Sequence, residues 1–223
     1  NVGLPSSVLR MQIALSPSVS STIYALIYNY DTDPYMTKLF KSTDDGKTWN
    51  KIAQNFEFGG PGNDQGHYDL CIAVDPVDQR HVLAGNVILS ISTDGETFAY
   101  YSPETMHVDF HKIVFAPSDS RYIYVGNDGG VYRSTDGGKT WRERNQWLAT
   151  LQLYGMSSHP TNRNAIIAGS QDNFAFATND HGATPWSINT FQGGGGGDVQ
   201  GVFIDPVAPD TLYAVSYRRI LFR

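Results

Sequence analysis

The chain has 223 residues, enough to bury a sizeable core in one domain or two, and its 40% hydrophobic content is that of a globular protein. A formal net charge of −6 and a pI near 5.4 argue against a nucleic-acid partner, because neutralising phosphates needs clustered Lys and Arg. The single cysteine, Cys71, excludes an intrachain disulfide, and no apolar run approaches the ~20 residues that a bilayer-crossing helix needs.

The 22 glycines and 13 tyrosines lean toward β structure, and helical periodicity is convincing nowhere along the chain. Asn1 stands where an initiator Met would, with no signal-like apolar segment behind it, so a processed or truncated start is expected. From there one unit repeats. An alternating apolar strand runs into a Pro turn, as in Ile13-Ala14-Leu15-Ser16-Pro17, and a second strand follows, as in Thr22 to Ile27. The turn recurs at Pro76, Pro117, Pro160 and Pro206. A period of roughly 40 to 60 residues with four short strands per unit predicts the blades of a β-propeller.

The third unit shows the pattern most clearly. Strand A is expected over Lys112 to Pro117, strand B over Tyr122 to Gly126 and strand C over Gly130 to Arg133, with strand D starting at Trp141. Between C and D lies Ser134-Thr135-Asp136-Gly137-Gly138-Lys139-Thr140-Trp141, an Asp-box. Ser134 and Asp136 are placed to bond backbone amides inside a tight turn, Gly138 to take positive φ, and Trp141 to anchor the next strand. The first unit repeats the box at Ser42, Asp44, Gly46, Thr48 and Trp49. The second is one residue short, with Ser92, Asp94 and Phe98, and the fourth carries an insertion among Thr178, Asp180, Gly182, Thr184 and Trp186. The fifth unit reaches Arg223 where its box would begin.

The expected fold is therefore all-β, a propeller of four-stranded antiparallel blades forming one segment over residues 1–223. Blades are expected at 8–58, 67–103, 107–148, 152–192 and 199–223, the last incomplete. The segment is expected to be a portion of a larger propeller, with Ile220 to Arg223 pairing with another polypeptide that completes it. Cys71, inside Leu70-Cys71-Ile72-Ala73-Val74, reads as a small buried hydrophobe.

Strand direction sorts the loops. A–B and C–D turns share one end of each blade, which gathers the Pro turns and boxes; B–C loops and D–A connections share the other. His67 and Asp69 fall at that second end, with His107, Asp109 and His111 leading into the third unit. Asp128 and Asp172 come from B–C loops, and Asp198 follows the glycine run that starts at Gly193. If the stretch from 107 to 111 is extended, its alternate side chains point one way. Three uses of these residues stay open: tying loops together around a wet channel, holding a metal through His107, Asp109 and His111, or hydrolysing a glycoside through paired carboxylates. No diagnostic spacing defines the metal site, and neither a metal nor a cofactor is expected. Tyr35, Trp147 and Tyr154 are loop aromatics suited to stacking on sugar rings or to packing.

The boxes and four longer runs carry a family resemblance. These are Gly66 to Pro76, His107 to His111, Gly126 to Ser134 and Gly169 to Asn173. The chain resembles Asp-box (BNR) repeat propellers, which include sialidases, xyloglucanase-type glycoside hydrolases, sortilin-type receptors and a photosystem assembly factor. It resembles more closely the large secreted Bacteroidetes propellers that leave the cell by type IX secretion. The resemblance implies a secreted or cell-surface module for protein or carbohydrate interaction, with glycoside hydrolysis as the alternative. Asn127-Asp128-Gly129-Gly130-Val131-Tyr132-Arg133 looks like the Asp-Gly-Gly-x-Tyr-Arg stretch of xyloglucanase-type enzymes, which implies a catalytic role for Asp128. Asp172 and Asp69 share its expected face but match no motif as its partner.

Overall fold

The computed structural model describes residues 2–30, 36–53, 55–101, 103, 105–148, 151–189, 197–216 and 221–222. Tyr35, the glycines from Gly193 to Gly196, Ile220 and Arg223 lie outside the described residues. Five antiparallel sheets and no helix are found among those described. No helix is therefore long and apolar enough to cross a membrane.

The chain divides into two compact units, Asn1–Leu148 and Ala149–Arg223. In the first, Arg10–Leu15 (β1), Ile23–Tyr28 (β2), Thr37–Ser42 (β3) and Asn50–Ile52 (β4) form one blade in sequence order. Cys71–Val74 (β5), Val82–Gly85 (β6), Leu89–Ser92 (β7) and Ala99–Tyr101 (β8) form the next. Phe110–Phe115 (β9), Ile123–Asn127 (β10), Gly130–Ser134 (β11) and Arg142–Glu143 (β12) form the third. In the second unit, Leu153–Ser158 (β13), Ile166–Ser170 (β14), Ala175–Thr178 (β15) and Ser187–Asn189 (β16) make a fourth sheet. Val199–Ile204 (β17), Leu212–Ser216 (β18) and Leu221–Phe222 (β19) make a fifth, three-stranded sheet.

The A strands of successive blades are neighbours: β1 meets β5, β5 meets β9, and within the second unit β13 meets β17. This is the blade arrangement of a β-propeller. Burial on both faces explains the uninterrupted apolar run of β2. Alternation sends Tyr24, Leu26 and Tyr28 to one face, where they pack with Leu70, Val74 and Val82 of the second blade. Ala25 and Ile27 go to the other, with Phe40 and Trp49. Cys71 is buried between the second and third blades with Leu83, Phe110 and Ile123, and burial pushes its thiol up to about 12.

The eight-residue turns close as their residues require. The Ser134 hydroxyl donates to Asp136 Oδ1 at 2.8 Å and accepts the Gly138 amide at 2.8 Å. Asp136 accepts the Thr140 amide at 2.9 Å and its hydroxyl at 2.6 Å, while Trp141 Nε1 donates to the Gly138 carbonyl at 3.0 Å. Gly138 has φ of 90°, a left-handed value that a side chain resists. The hydroxyl and carboxylate bonds recur around Asp44, Asp94 and Asp180, and the indole bond recurs from Trp49 Nε1 to the Gly46 carbonyl at 3.0 Å. The Thr140 hydroxyl leads the causes that hold the Asp136 carboxyl down to about 2. Thr48 does so for Asp44 and Thr184 for Asp180, each also at about 2.

Three of the four boxes also bond the A–B turn of their own blade. Asp45 donates to the Ser21 carbonyl, Gly137 to Arg121 and His181 to Asn164. Turns and boxes thus share an end. Two details differ from expectation. Trp141 precedes β12 rather than beginning it, because its indole is turned back onto the box. Trp186 is 36% exposed against 8% for Trp49, since the fourth box inserts Pro185 before it.

Ser134 is completely buried, so its loss would leave the Gly138 amide without a partner. Ser134→Ala is expected to cost about 1–3 kcal/mol, read from chemical denaturation. A loss below about 0.5 kcal/mol would show that the hydroxyl does not hold the turn.

Candidate functional site

At the other end of the first unit, D–A connections and B–C loops are bonded to each other. The amides of Asp109 and Phe110 donate to the carbonyls of Val87 and Asn86, at 2.9 and 2.8 Å. One blade further, Asn127 Nδ2 donates to the His107 carbonyl at 2.6 Å. Asn29, Asn86 and Asn127 occupy the same place, the end of strand B, and each has its side chain on a loop. Asn86, fully buried, takes the Gln65 amide at 3.0 Å and gives Nδ2 to Asp64 at 2.9 Å. Sequence reasoning did not single out these asparagines, although their recurrence after strand B was a signal.

Asp64 is a second functional residue not foreseen. Its carboxylate accepts the Thr37 amide at 2.6 Å, the Thr37 hydroxyl at 2.7 Å and the Gly66 amide at 2.9 Å, besides Asn86. Those bonds fix the turn that delivers Asp69, whose own amide donates to the Gln65 carbonyl at 2.8 Å. Arg10 braces the same stretch by donating to the carbonyls of His67 and Tyr68.

Four of the expected residues converge in this unit. Asp69 is 1% exposed, and His111 Nδ1 lies 3.3 Å from its Oδ1. That is ion-pair distance without hydrogen-bond direction, and the buried Oδ1 has no hydrogen-bond partner. The opposite ring nitrogen, Nε2, is 2.5 Å from Asp128 Oδ1. Tyr68 sets its ring edge-on to the imidazole, centroids 5.2 Å apart. Asp109 bonds the Asp69 carboxyl and has an oxygen within 4.8 Å of one of Asp128.

The electrostatics follow from burial. Desolvation raises both Asp69 and Asp109 to about 6. The positive charge of His111 pulls Asp69 back, whereas the neighbouring charges of Asp69 and Asp128 push Asp109 further up. Their mutual hydrogen bond needs one of the two carboxyls to carry a proton, and burial lets the pair keep that proton where an ordinary aspartate has lost it.

The remaining expectations divide. The stretch from 107 to 111 is not one extended row, because Asp109 has φ of 64° and the β9–β10 register shifts at Gly126/Asn127. The amides of Asp109 and Phe110 are pinned to the preceding blade's loop, and that contact overrides the alternation. His107 Nδ1 stands 3.1 Å from the Val108 carbonyl, and its positive charge acts on Asp109. His67 is exposed, with its ring 5.9 Å from that of Tyr28. The Gly129 amide, next to Asp128, donates to Asn127 Oδ1 at 3.1 Å. In the second unit, Asp172 has φ of 54° and its amide donates to Asp198 Oδ1 at 3.0 Å.

No protein-family model matches the chain. Among curated proteins it is similar to Xyloglucanase Xgh74A of Acetivibrio thermocellus, 34% identical over 162 residues, covering 58% of this chain and 19% of that protein. A second sequence of that name and species is 33% identical over the same share. The chain thus spans about a fifth of the length of the curated relatives it matches. Among solved structures it is similar to the GH74 xyloglucanase of Xanthomonas campestris, with TM-score 0.51 and 18% identity, over 98% of this chain and 36% of that one. A GH74 enzyme of Niastella koreensis gives TM-score 0.46 and 20% identity over 94% and 44%. The Xanthomonas likeness supports the propeller fold and extends no further than fold.

Proposed function

We propose that this chain is a carbohydrate-binding propeller segment of a secreted or cell-surface bacterial protein, one of the Asp-box repeat type. The likeness to a xyloglucanase over 58% of the chain supports a β-glucan of the xyloglucan class as ligand. Binding is preferred to hydrolysis on one observation: Asp69 and Asp109 are bonded carboxyl to carboxyl. Glycosidases hold their acids about 5–5.5 Å apart when retaining and about 6.5–9.5 Å apart when inverting, to admit a nucleophilic attack or a water. A contact pair admits neither. Asp128 is engaged by His111 at 2.5 Å. Within this proposal the five sheets belong to one propeller, and a further polypeptide segment pairs with the three-stranded fifth sheet.

Trp147 is 95% exposed, so packing does not account for it, and it is assigned to sugar stacking. Tyr154, expected on a loop, is instead a residue of β13. Calorimetric titration with xyloglucan oligosaccharides is expected to show saturable binding, and Trp147→Ala to weaken it roughly tenfold, about 1.4 kcal/mol, without moving the thermal midpoint. Absence of binding would overturn the reading.

Glycoside hydrolysis remains the second reading, favoured by the pKa values near 6, which suit a general acid. Reducing-end release from xyloglucan that disappears in Asp128→Asn, at unchanged stability, would establish it in place of simple binding.

A further inference from the structure

One residue of the first unit carries strain that the fold does not use. Residues 145–148 form a β-turn, closed by the Leu148 amide donating to the Asn145 carbonyl at 2.8 Å. Its third residue, Trp147, has φ of 69°, a sign that Gln146 before it does not share. That is the type II pattern, in which the third position calls for Gly or Asn. A Cβ in left-handed backbone is costly, and more so under a bulky side chain. No packing offsets the cost, because Trp147 is 95% exposed.

The turn is also clamped to the hairpin that carries Asp128. Asn145 Nδ2 donates to the Gly129 carbonyl at 2.6 Å, and its Oδ1 accepts the Val131 amide at 2.7 Å. The Arg144 amide adds a bond to the Val131 carbonyl at 2.8 Å. The fit leaves no slack, since a Cβ on Gly130 would lie 2.2 Å from Asn145 Oδ1. None of these bonds involves the indole, so Gly at position 147 would suit the clamp better than Trp does.

We propose that Asn145 is a positioning residue for glycan binding: it fixes the 145–148 turn against the Asp128 hairpin and so holds the strained Trp147 out as a ready-made platform for a sugar ring. Strain of this kind persists where it pre-organises a ligand contact, and an indole already in place loses less freedom on binding. This role presupposes the glycan binding proposed above; what Asn145 adds is the aim of the platform.

Two double-mutant cycles on the whole chain test this role. In chemical denaturation, Trp147→Gly is expected to raise the folding equilibrium constant about threefold by relieving the left-handed strain, a gain that Trp147→Ala does not give. With Asn145→Ala the turn is no longer held, and the gain from Trp147→Gly is expected to disappear. In calorimetric titration with xyloglucan oligosaccharides, Asn145→Ala is expected to weaken binding about fivefold although the indole is intact, and to weaken it no further once Trp147 is replaced by Gly. If Asn145→Ala fails to fold, Asn145→Asp, which keeps the acceptor for Val131 and loses the donor to Gly129, takes its place. A Trp147→Gly chain no more stable than the parent, or effects of the two substitutions that simply add in either cycle, would overturn the proposal. A parent chain that binds no oligosaccharide would overturn glycan binding itself and the role built on it, and the stability cycle would still report whether Asn145 imposes the strain.

Discussion

Asn in place of Asp109 is expected to raise the thermal midpoint at pH 7 and to flatten the fall in stability that the parent chain shows between about pH 4 and pH 6. Asp69 and Asp109 both hold protons up to about 6 in the folded chain, against 3.8 for an ordinary aspartate. Between those values the folded state binds more protons than the unfolded one, so raising the pH draws the equilibrium toward unfolding. Above about 6 both states are ionised and the penalty is constant; below about 4 it vanishes. Two units correspond to about 2.7 kcal/mol for one group, but a shared proton makes the two values a property of the pair. About 2 kcal/mol is the reasonable total, or a midpoint shift of about 4–8 °C for a chain of this length.

Asn suits the position twice over. Its amide donates to Asp69 as the protonated carboxyl does, and it tolerates the left-handed φ of 64° at residue 109. The box carboxylates titrate in the opposite sense. Asp44, Asp136 and Asp180, held down to about 2, support the fold above their ordinary value and lose that support as pH falls through 4 toward 2. Opposing trends place maximum stability near pH 4–5. Calorimetric midpoints from pH 3 to 8, taken in chelator, check this. A midpoint that climbs from pH 4 to 6, or an Asp109→Asn chain less stable than the parent at pH 7, would contradict the account.

The fold was legible because each box is a complete local device. Ser134, Asp136, Gly138 and Thr140 satisfy one another within seven residues, so the turn can be recognised without knowing its neighbours. Strand direction then assigns loops to ends without any further contact. The site needed contacts from other blades, and there the local rule failed. Alternation aligned His107, Asp109 and His111, but the bonds from Asp109 and Phe110 to Val87 and Asn86 impose a left-handed residue just where the strand was drawn. Asp109 still reaches Asp69, and His111 reaches both Asp69 and Asp128, by different routes from the one expected. His67 shared a segment with Asp69 but gives the site no side chain that reaches these acids, because Arg10 holds its carbonyl and its ring lies near Tyr28. Asp64 escaped notice because three of its four donors are supplied by Thr37 and Asn86, more than twenty residues away in sequence.

Asp64→Ala is expected to be the most destabilising single change at this end of the first unit, and to disable the carboxyl pair as well. Asp64 accepts bonds from four donors, two of them on fully buried Thr37 and one on fully buried Asn86. Each buried donor left without an acceptor costs about 1–3 kcal/mol, so a loss of about 3–5 kcal/mol is expected after partial relaxation. The Gly66 amide is released too, and with it the turn whose Gln65 carbonyl receives the Asp69 amide. Asp69 then leaves its buried position, and the desolvation that keeps its proton on disappears. Ile123→Ala, a cavity in a fully buried site between blades, should cost a similar 2–5 kcal/mol by a different mechanism. Only the pH profile separates them: Ile123→Ala keeps the decline between pH 4 and 6, whereas Asp64→Ala loses it. Equal slopes in the two variants would mean that Asp64 supports the fold without positioning Asp69, because a displaced carboxyl in water titrates near its ordinary value.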